Sequence, residues 1–229
     1  MPRPERFTPH IARAPLGVLV AAGHDGIDVS ITAAMLAHEA HAEGSRVLLI
    51  ASPERAERIT ALFGVMQPVI EHPVLVAPGI SVAAMLPAIL EADVVISVPA
   101  AKVRELLDAI DLRAARTTPT NAVILADHGG AAMAAAFAVL KLVHNHRPKL
   151  PTTVTGLGDA DLAPLHDAAE RWLGCAVRTT PSLPIDPTLP VALGAGIPLA
   201  EAVADTALTT AAGALWSALA SSATTGAIV

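Results

Sequence analysis

Tyrosine is absent, tryptophan occurs twice and phenylalanine three times in 229 residues, so the chain has few rings on which nucleic-acid bases could stack. Cysteine occurs once, as Cys175, which excludes an internal disulfide and fits a reducing cytoplasm. Charge is sparse at 16%, and the formal net charge of −6 gives no general attraction for nucleic acid or anionic lipid. No apolar run reaches the roughly 18 residues of a membrane span, so stable membrane insertion is not expected. The opening MPRPERFTPHIARAPLG carries no apolar stretch of the secretory type. These absences leave a soluble, cytoplasmic, globular protein without nucleic acid among its partners.

What the chain does have is aliphatic material, with 53% hydrophobic residues. Its length suits one domain spanning 1–229, with 1–15 as an N-terminal extension and 222–229 as a flexible tail. Continuous Val/Ile/Leu runs of strand length fall at 17–22, 46–51, 73–77, 93–98, 121–126 and 152–157, with a weaker one at 176–180. Such runs are expected of strands buried on both faces. Helical patterns fall between them at 28–43, 53–63, 81–91, 101–115, 131–146 and 161–173, and a last helix covers 199–221. The Pro/Gly-rich stretches 148–151 and 181–198 read as surface connections. Alternation of this kind predicts an α/β fold, doubly wound, with a mostly parallel sheet and helices on both faces. Ligands in such folds bind beyond the carboxyl ends of the strands.

The first of those strand ends is the most informative. In G23-H-D-G-I-D-V-S30 a glycine follows an apolar strand, and Asp28, Val29 and Ser30 open an Ala-rich helix. A working phosphate loop reads G-x-x-x-x-G-K-[ST]: backbone amides cradle phosphate, the lysine neutralises it and the hydroxyl holds Mg²⁺. Gly23 and Ser30 stand at that spacing. Asp28 takes the place of the second glycine and Val29 that of the lysine.

Several segments in order resemble the MinD/ParA family of P-loop ATPases, whose loop has the form GKGGVGKTT. Gly23, Gly26 and Ile27 stand in register with that loop. G44-S-R-V-L-L-I50 resembles the family's second strand, and E91-A-D-V-V-I-S-V-P-A100 its Y-D-V-V-I-I-D-T-P segment. The stretches 123–143 and 170–186, with the A-G-I-P segment at 195–198, resemble its later motifs, most of all in the FlhG-like flagellar-number regulator branch. The similarity runs from about residue 16 to residue 219, and it implies a P-loop NTPase-like fold.

The departures fall on the charged positions. The resemblance places the family's signature lysine at His24, a loop glycine at Asp25, and the Mg²⁺-associated aspartate at Ser97. The aspartate after the second strand is replaced in Ala51–Ser52, and 154–156 lacks the asparagine that contacts adenine. The vestigial loop thus comprises Gly23, His24, Asp25, Gly26, Asp28, Val29 and Ser30, with Ser52 and Ser97 at neighbouring strand ends. Each added carboxylate would repel a phosphate charge at ~4 Å by about 1 kcal/mol in water, and about 4 kcal/mol at a near-surface dielectric. Asp28 also stands at the expected helix N-cap, where it can accept backbone N–H groups in place of phosphate. The resemblance to a family of ATPases with these positions lost implies a degenerate Walker A loop and a pseudo-ATPase. No catalytic residue, cofactor or metal is assigned.

Asp127 and His128 in D-H-G-G at another strand end form an alternative polar site, with His128 as a base and the glycines as an anion nest. An enzyme of another class would need His24, Asp25, Ser97, Asp127 and His128 to converge. His38 and His41 share a helix face, and His144 and His146 sit close together, but neither pair has a third ligand. The helix at 104–116 has mixed charge and could meet a partner. In the last helix, Leu208, Leu215, Trp216 and Leu219 read as core rather than a membrane-targeting face, because the polar face lacks Lys and Arg. The resemblance implies protein partners: a second copy of the chain as a homodimer, an active homologous ATPase, or a component of a secretion or flagellar machine. Flagellar biosynthesis or placement comes first among the processes it implies, with pilus assembly and cellulose secretion next.

Overall fold

The computed structural model describes residues 16–63, 74–78, 88, 89, 91–110 and 119–225. The chain begins with β1 (Leu16–Ala22), α1 (Val29–Ala42), β2 (Val47–Ala51), α2 (Pro53–Leu62), β3 (Val74–Pro78) and β4 (Val94–Val98). It continues through α3 (Val103–Ile110), β5 (Asn121–Ala126), α4 (Gly130–His146), β6 (Thr152–Gly156), α5 (Ala163–Leu173) and β7 (Arg178–Thr179). Three helices close the described chain: α6 (Leu189–Gly194), α7 (Leu199–Ala202) and α8 (Ala207–Thr225). The strands form one sheet in the order β3-β2-β4-β1-β5-β6-β7, and every pairing is parallel.

Side chains alternate across a strand, so β1 feeds two cores. Val18, Val20 and Ala22 pack with α1, α2 and α8 on one face of the sheet. Leu19 and Ala21 pack with α3, α4 and α5 on the other. This is the doubly wound arrangement expected from the alternating runs. Helix α1 lies between the sheet and α8, which is why it buries residues around most of its circumference rather than along one stripe. Its Ala33, Ala34, Ala37 and Ala40 are small enough to let both neighbours approach.

Several boundaries differ from the sequence reading. The helix expected at 199–221 is two helices. The chain breaks at 203–206, where Asp205 adopts φ +58° and the Thr206 hydroxyl accepts from Thr209 N at 3.4 Å, in the manner of an N-cap. The stretch 181–198 is not only surface connection, because it contains α6 and buries Leu183 and Leu189. The tail expected from 222 is still helical as far as Thr225, since the first residues of that stretch continue the turns of α8. Most of the helix expected at 81–91, and residues 111–115 of the one at 101–115, lie outside the described residues.

Leu208, Leu215, Trp216 and Leu219 are buried against α1 and the sheet, so this face of α8 is core. Among the described residues, no helix is long and apolar enough to cross a membrane.

Candidate functional site

Strand β1 is central, flanked by β4 and β5. It leads through α1 to β2 on one side, whereas β5 leads through α4 to β6 on the other. Such reversals open a crevice at the carboxyl edge of the sheet. The loop Gly23–Asp28 sits at this edge.

Gly23 is fixed by packing. A Cβ on it would lie 2.3 Å from the carbonyl carbon of Ala135 and 2.6 Å from its oxygen, so the chain leaves β1 directly against the backbone of α4. Several of the amides that follow are engaged within the loop itself. Gly26 N donates to His24 Nδ1 at 3.1 Å, and Val29 N to Ile27 O at 3.0 Å. Ser30 N donates to Asp28 Oδ1 at 3.0 Å, which makes Asp28 the N-cap of α1. Val29 and the Ser30 side chain are buried. A loop that cradles an anion presents its amides outward; here the histidine and the aspartate accept two of them from inside.

Two residues that the sequence alone did not single out complete the loop. Arg55 Nη2 lies 3.6 Å from Asp25 Oδ1, and Arg58 Nε lies 3.2 Å from Asp28 Oδ2. The arginines are three apart on α2 and so share a face. That spacing was visible in the sequence, but nothing there placed α2 beside the loop. The pairing corrects the electrostatic argument. The added carboxylates are not bare charges facing a polyanion, since each has a guanidinium partner. The occupied amides, rather than net repulsion, are what set this loop apart from a phosphate cradle.

The alternative polar residues fall into separate places. Asp127 Oδ1 accepts from His128 N at 2.7 Å and lies 2.7 Å from His128 Nδ1. The backbone amide of His128 is the main reason the Asp127 carboxyl is held below its ordinary range; His24 adds the smallest contribution, through proximity. β1 and β5 are neighbours in the sheet, with Ala22 opposite Leu125, so the loops that leave them start side by side. Ser97 is buried on β4 and lines a different cleft, of about 260 Å³, together with Ser52, Glu105 and Asp108. Of the five residues an enzyme reading requires, this cleft holds Ser97.

No group of three or more His, Cys, Asp or Glu side chains among the described residues is arranged to hold a metal. His41 lies in the last turn of α1, and His144 and His146 in that of α4, where a positive charge complements the helix dipole.

Beyond Asp28 a second cavity, of about 180 Å³, opens between α1, α8 and the segment that follows β7. Leu157, immediately after β6, lines it. The strand end at which the resemblance looked for an adenine-contacting asparagine thus presents an aliphatic side chain.

No family model matches the chain, and no curated protein matches it in sequence. Solved structures do match in fold. MinD from Aquifex aeolicus, in its complex with MinC, superposes with a TM-score of 0.63 at 13% identity, over 90% of this chain and 96% of that one. McdA from Cyanothece, without nucleotide, gives 0.61 at 15% identity, over 91% and 99%. A ParA-family ATPase from Chlorobium tepidum gives 0.59 at 13% identity, over 89% and 98%. The fold is that of the MinD/ParA P-loop NTPases.

Proposed function

We propose that the chain is a non-catalytic, MinD/ParA-like pseudo-ATPase that serves as a regulatory or assembly module through protein partners. The observation that carries this reading is the internal use of the loop. His24 Nδ1 and Asp28 Oδ1 take the Gly26 and Ser30 amides, and Val29 supplies no cation where a phosphate loop has its lysine. A nucleotide would have to displace both acceptors without the lysine's charge compensation. Arg55 and Arg58 do not substitute for it, because releasing either one would uncover Asp25 or Asp28.

A chain of this fold without a nucleotide switch would hold its partner constitutively, as a homodimer or against an active homologous ATPase. The resemblance to the flagellar-number regulator branch favours flagellar biosynthesis or placement as the process, ahead of pilus assembly and cellulose secretion. That one structural relative was solved as a complex of MinD with MinC supports a partner-binding role.

Titration of the purified chain with a labelled ATP analogue and Mg²⁺, with mass measured in the same samples, tests the reading. Expected are no micromolar binding and a mass unchanged by nucleotide. Micromolar MgATP binding would overturn it. Recovery of binding in the double variant Asp28→Gly with Val29→Lys would show that the loop is decayed rather than unrelated.

A further inference from the structure

The cavity beside α1 has mostly apolar walls. Ile31 and Met35 of α1, Leu157, Leu183, and Leu208 and Leu215 of α8 line it, together with a few further apolar groups. Leu215 and Leu183 are buried and form its floor, whereas the exposed Ile185 and Asp28 mark its mouth. The walls come from four separate parts of the chain, so closing the space would require the helices on this face to shift together. An enclosed apolar cavity of ~150 Å³ accepts benzene, and this cavity is comparable in size though open at its mouth. About 180 Å³ therefore suits one ring with a short chain.

Charge at the mouth narrows the ligand further. Among the described residues, no lysine or arginine lines the cavity, and the ionisable ones that do are Asp28 and Asp186. Asp28 is already paired with Arg58. Asp186 is held by Thr188, whose N and Oγ1 donate to Oδ1 at 2.8 and 2.7 Å, and it has no cationic partner among the described residues. Those bonds hold the Asp186 carboxyl below its ordinary range, so it is ionised at neutral pH. An anion entering here would bring its charge to a carboxylate, whereas a cation would find one already oriented.

We propose that this cavity binds a small aromatic or branched aliphatic amine, with its apolar body against Met35 and Leu215 and its ammonium at Asp186. This goes beyond the pseudo-ATPase reading and does not depend on it, since the ligand carries no phosphate and makes no use of the loop amides.

The test is calorimetric titration of the full chain with phenethylamine and with hydrocinnamate, which has the same ring and chain length but a carboxylate end. The amine is expected to bind at least tenfold more tightly. Asp186→Asn should erase that preference, leaving both probes bound weakly and equally. Ala212→Phe, which fills the cavity from α8, should abolish binding of the amine; Thr32→Ile fills it from α1 if the first variant does not fold. The proposal is overturned if phenethylamine gives no saturable heat at millimolar concentration, if hydrocinnamate binds as tightly, or if a folded, filled variant still binds the amine. MgATP binding by the wild-type chain would refute the pseudo-ATPase reading and leave this comparison of amine with carboxylate intact.

Discussion

Arg58 Nε lies 3.2 Å from Asp28 Oδ2, while the other oxygen of the same carboxylate caps α1 by accepting from Ser30 N. One side chain therefore ties α2 to the loop and satisfies the first turn of α1. The two roles differ in weight. Both partners of the ion pair are more than a third exposed, and such pairs contribute about 0–1 kcal/mol. Loss of an N-cap costs about 1 kcal/mol and up to about 2.

Substitution separates these roles. Asp28→Asn keeps a capping oxygen and loses only the charge, so its urea midpoint should stay close to wild type. Asp28→Ala loses both and should be destabilised by about 1–2 kcal/mol. Equal losses in the two variants would mean that the ion pair, not the cap, carries the effect.

The two glycines of the loop should respond very differently. Gly23→Ala drives a methyl into the backbone of α4 at Ala135, which neither element can relieve without moving, and a loss of about 1–3 kcal/mol or more is expected. In Gly26→Ala the new methyl meets only the His24 ring, with Nδ1 at 2.8 Å, and a ring can turn aside. Thermal melts should rank Gly23→Ala well below Gly26→Ala. The opposite order would show that Gly23 is not packed as described.

Asp93 provides a test against pH. Its carboxylate accepts from Arg46 N and Nε, both at 3.0 Å, and the Arg46 side chain is the largest cause of its lowered pKa. A folded pKa below the unfolded value of ~3.9 stabilises the fold above that value, and the contribution is lost as pH falls through the folded pKa. Asp93→Asn should therefore melt below wild type at pH 7, and the gap should close below about pH 4. A gap that persists unchanged at pH 2.5 (about one unit or more below the ordinary carboxylate value) would point to lost geometry rather than lost charge.

Cys175 should be a slow nucleophile. Burial raises its thiol pKa, which lowers the thiolate fraction at neutral pH. Alkylation by iodoacetamide at pH 7.5 (about a unit below an ordinary thiol pKa) should be slower for the folded chain than for the same chain in urea. A folded rate equal to or above the unfolded one would contradict this environment.

Much of the fold was legible because buried parallel strands leave an unambiguous mark. All six main strands lie within about a residue or two of their apolar runs, as expected where both faces of a strand are covered. Helix ends were less legible where a local hydrogen bond overrode pattern. The Ala-rich run 199–221 has no proline between Leu199 and Ser221, yet Asp205 takes a left-handed turn and Thr206 starts a new helix. The short α6 was hidden because Pro190 in 181–198 read as a connector, although proline fits the first turn of a helix and Leu189 beside it is buried.

At the loop, the residue types alone determined the missing lysine, the glycine spacing and an aspartate fit to cap α1, because these depend on chemistry at adjacent positions. Tertiary structure decided what those changes amount to. Only the packing of α2 beside the loop gave Asp25 and Asp28 their arginines, turning apparent repulsion into neutral pairs. Only the folded turn brought His24 Nδ1 onto the Gly26 amide. The apolar cavity was not legible at all, since its walls come from residues 31, 157, 183 and 215. Their proximity results from a sheet order that runs out of sequence, and no local pattern records which distant side chains a parallel crossover will bring together.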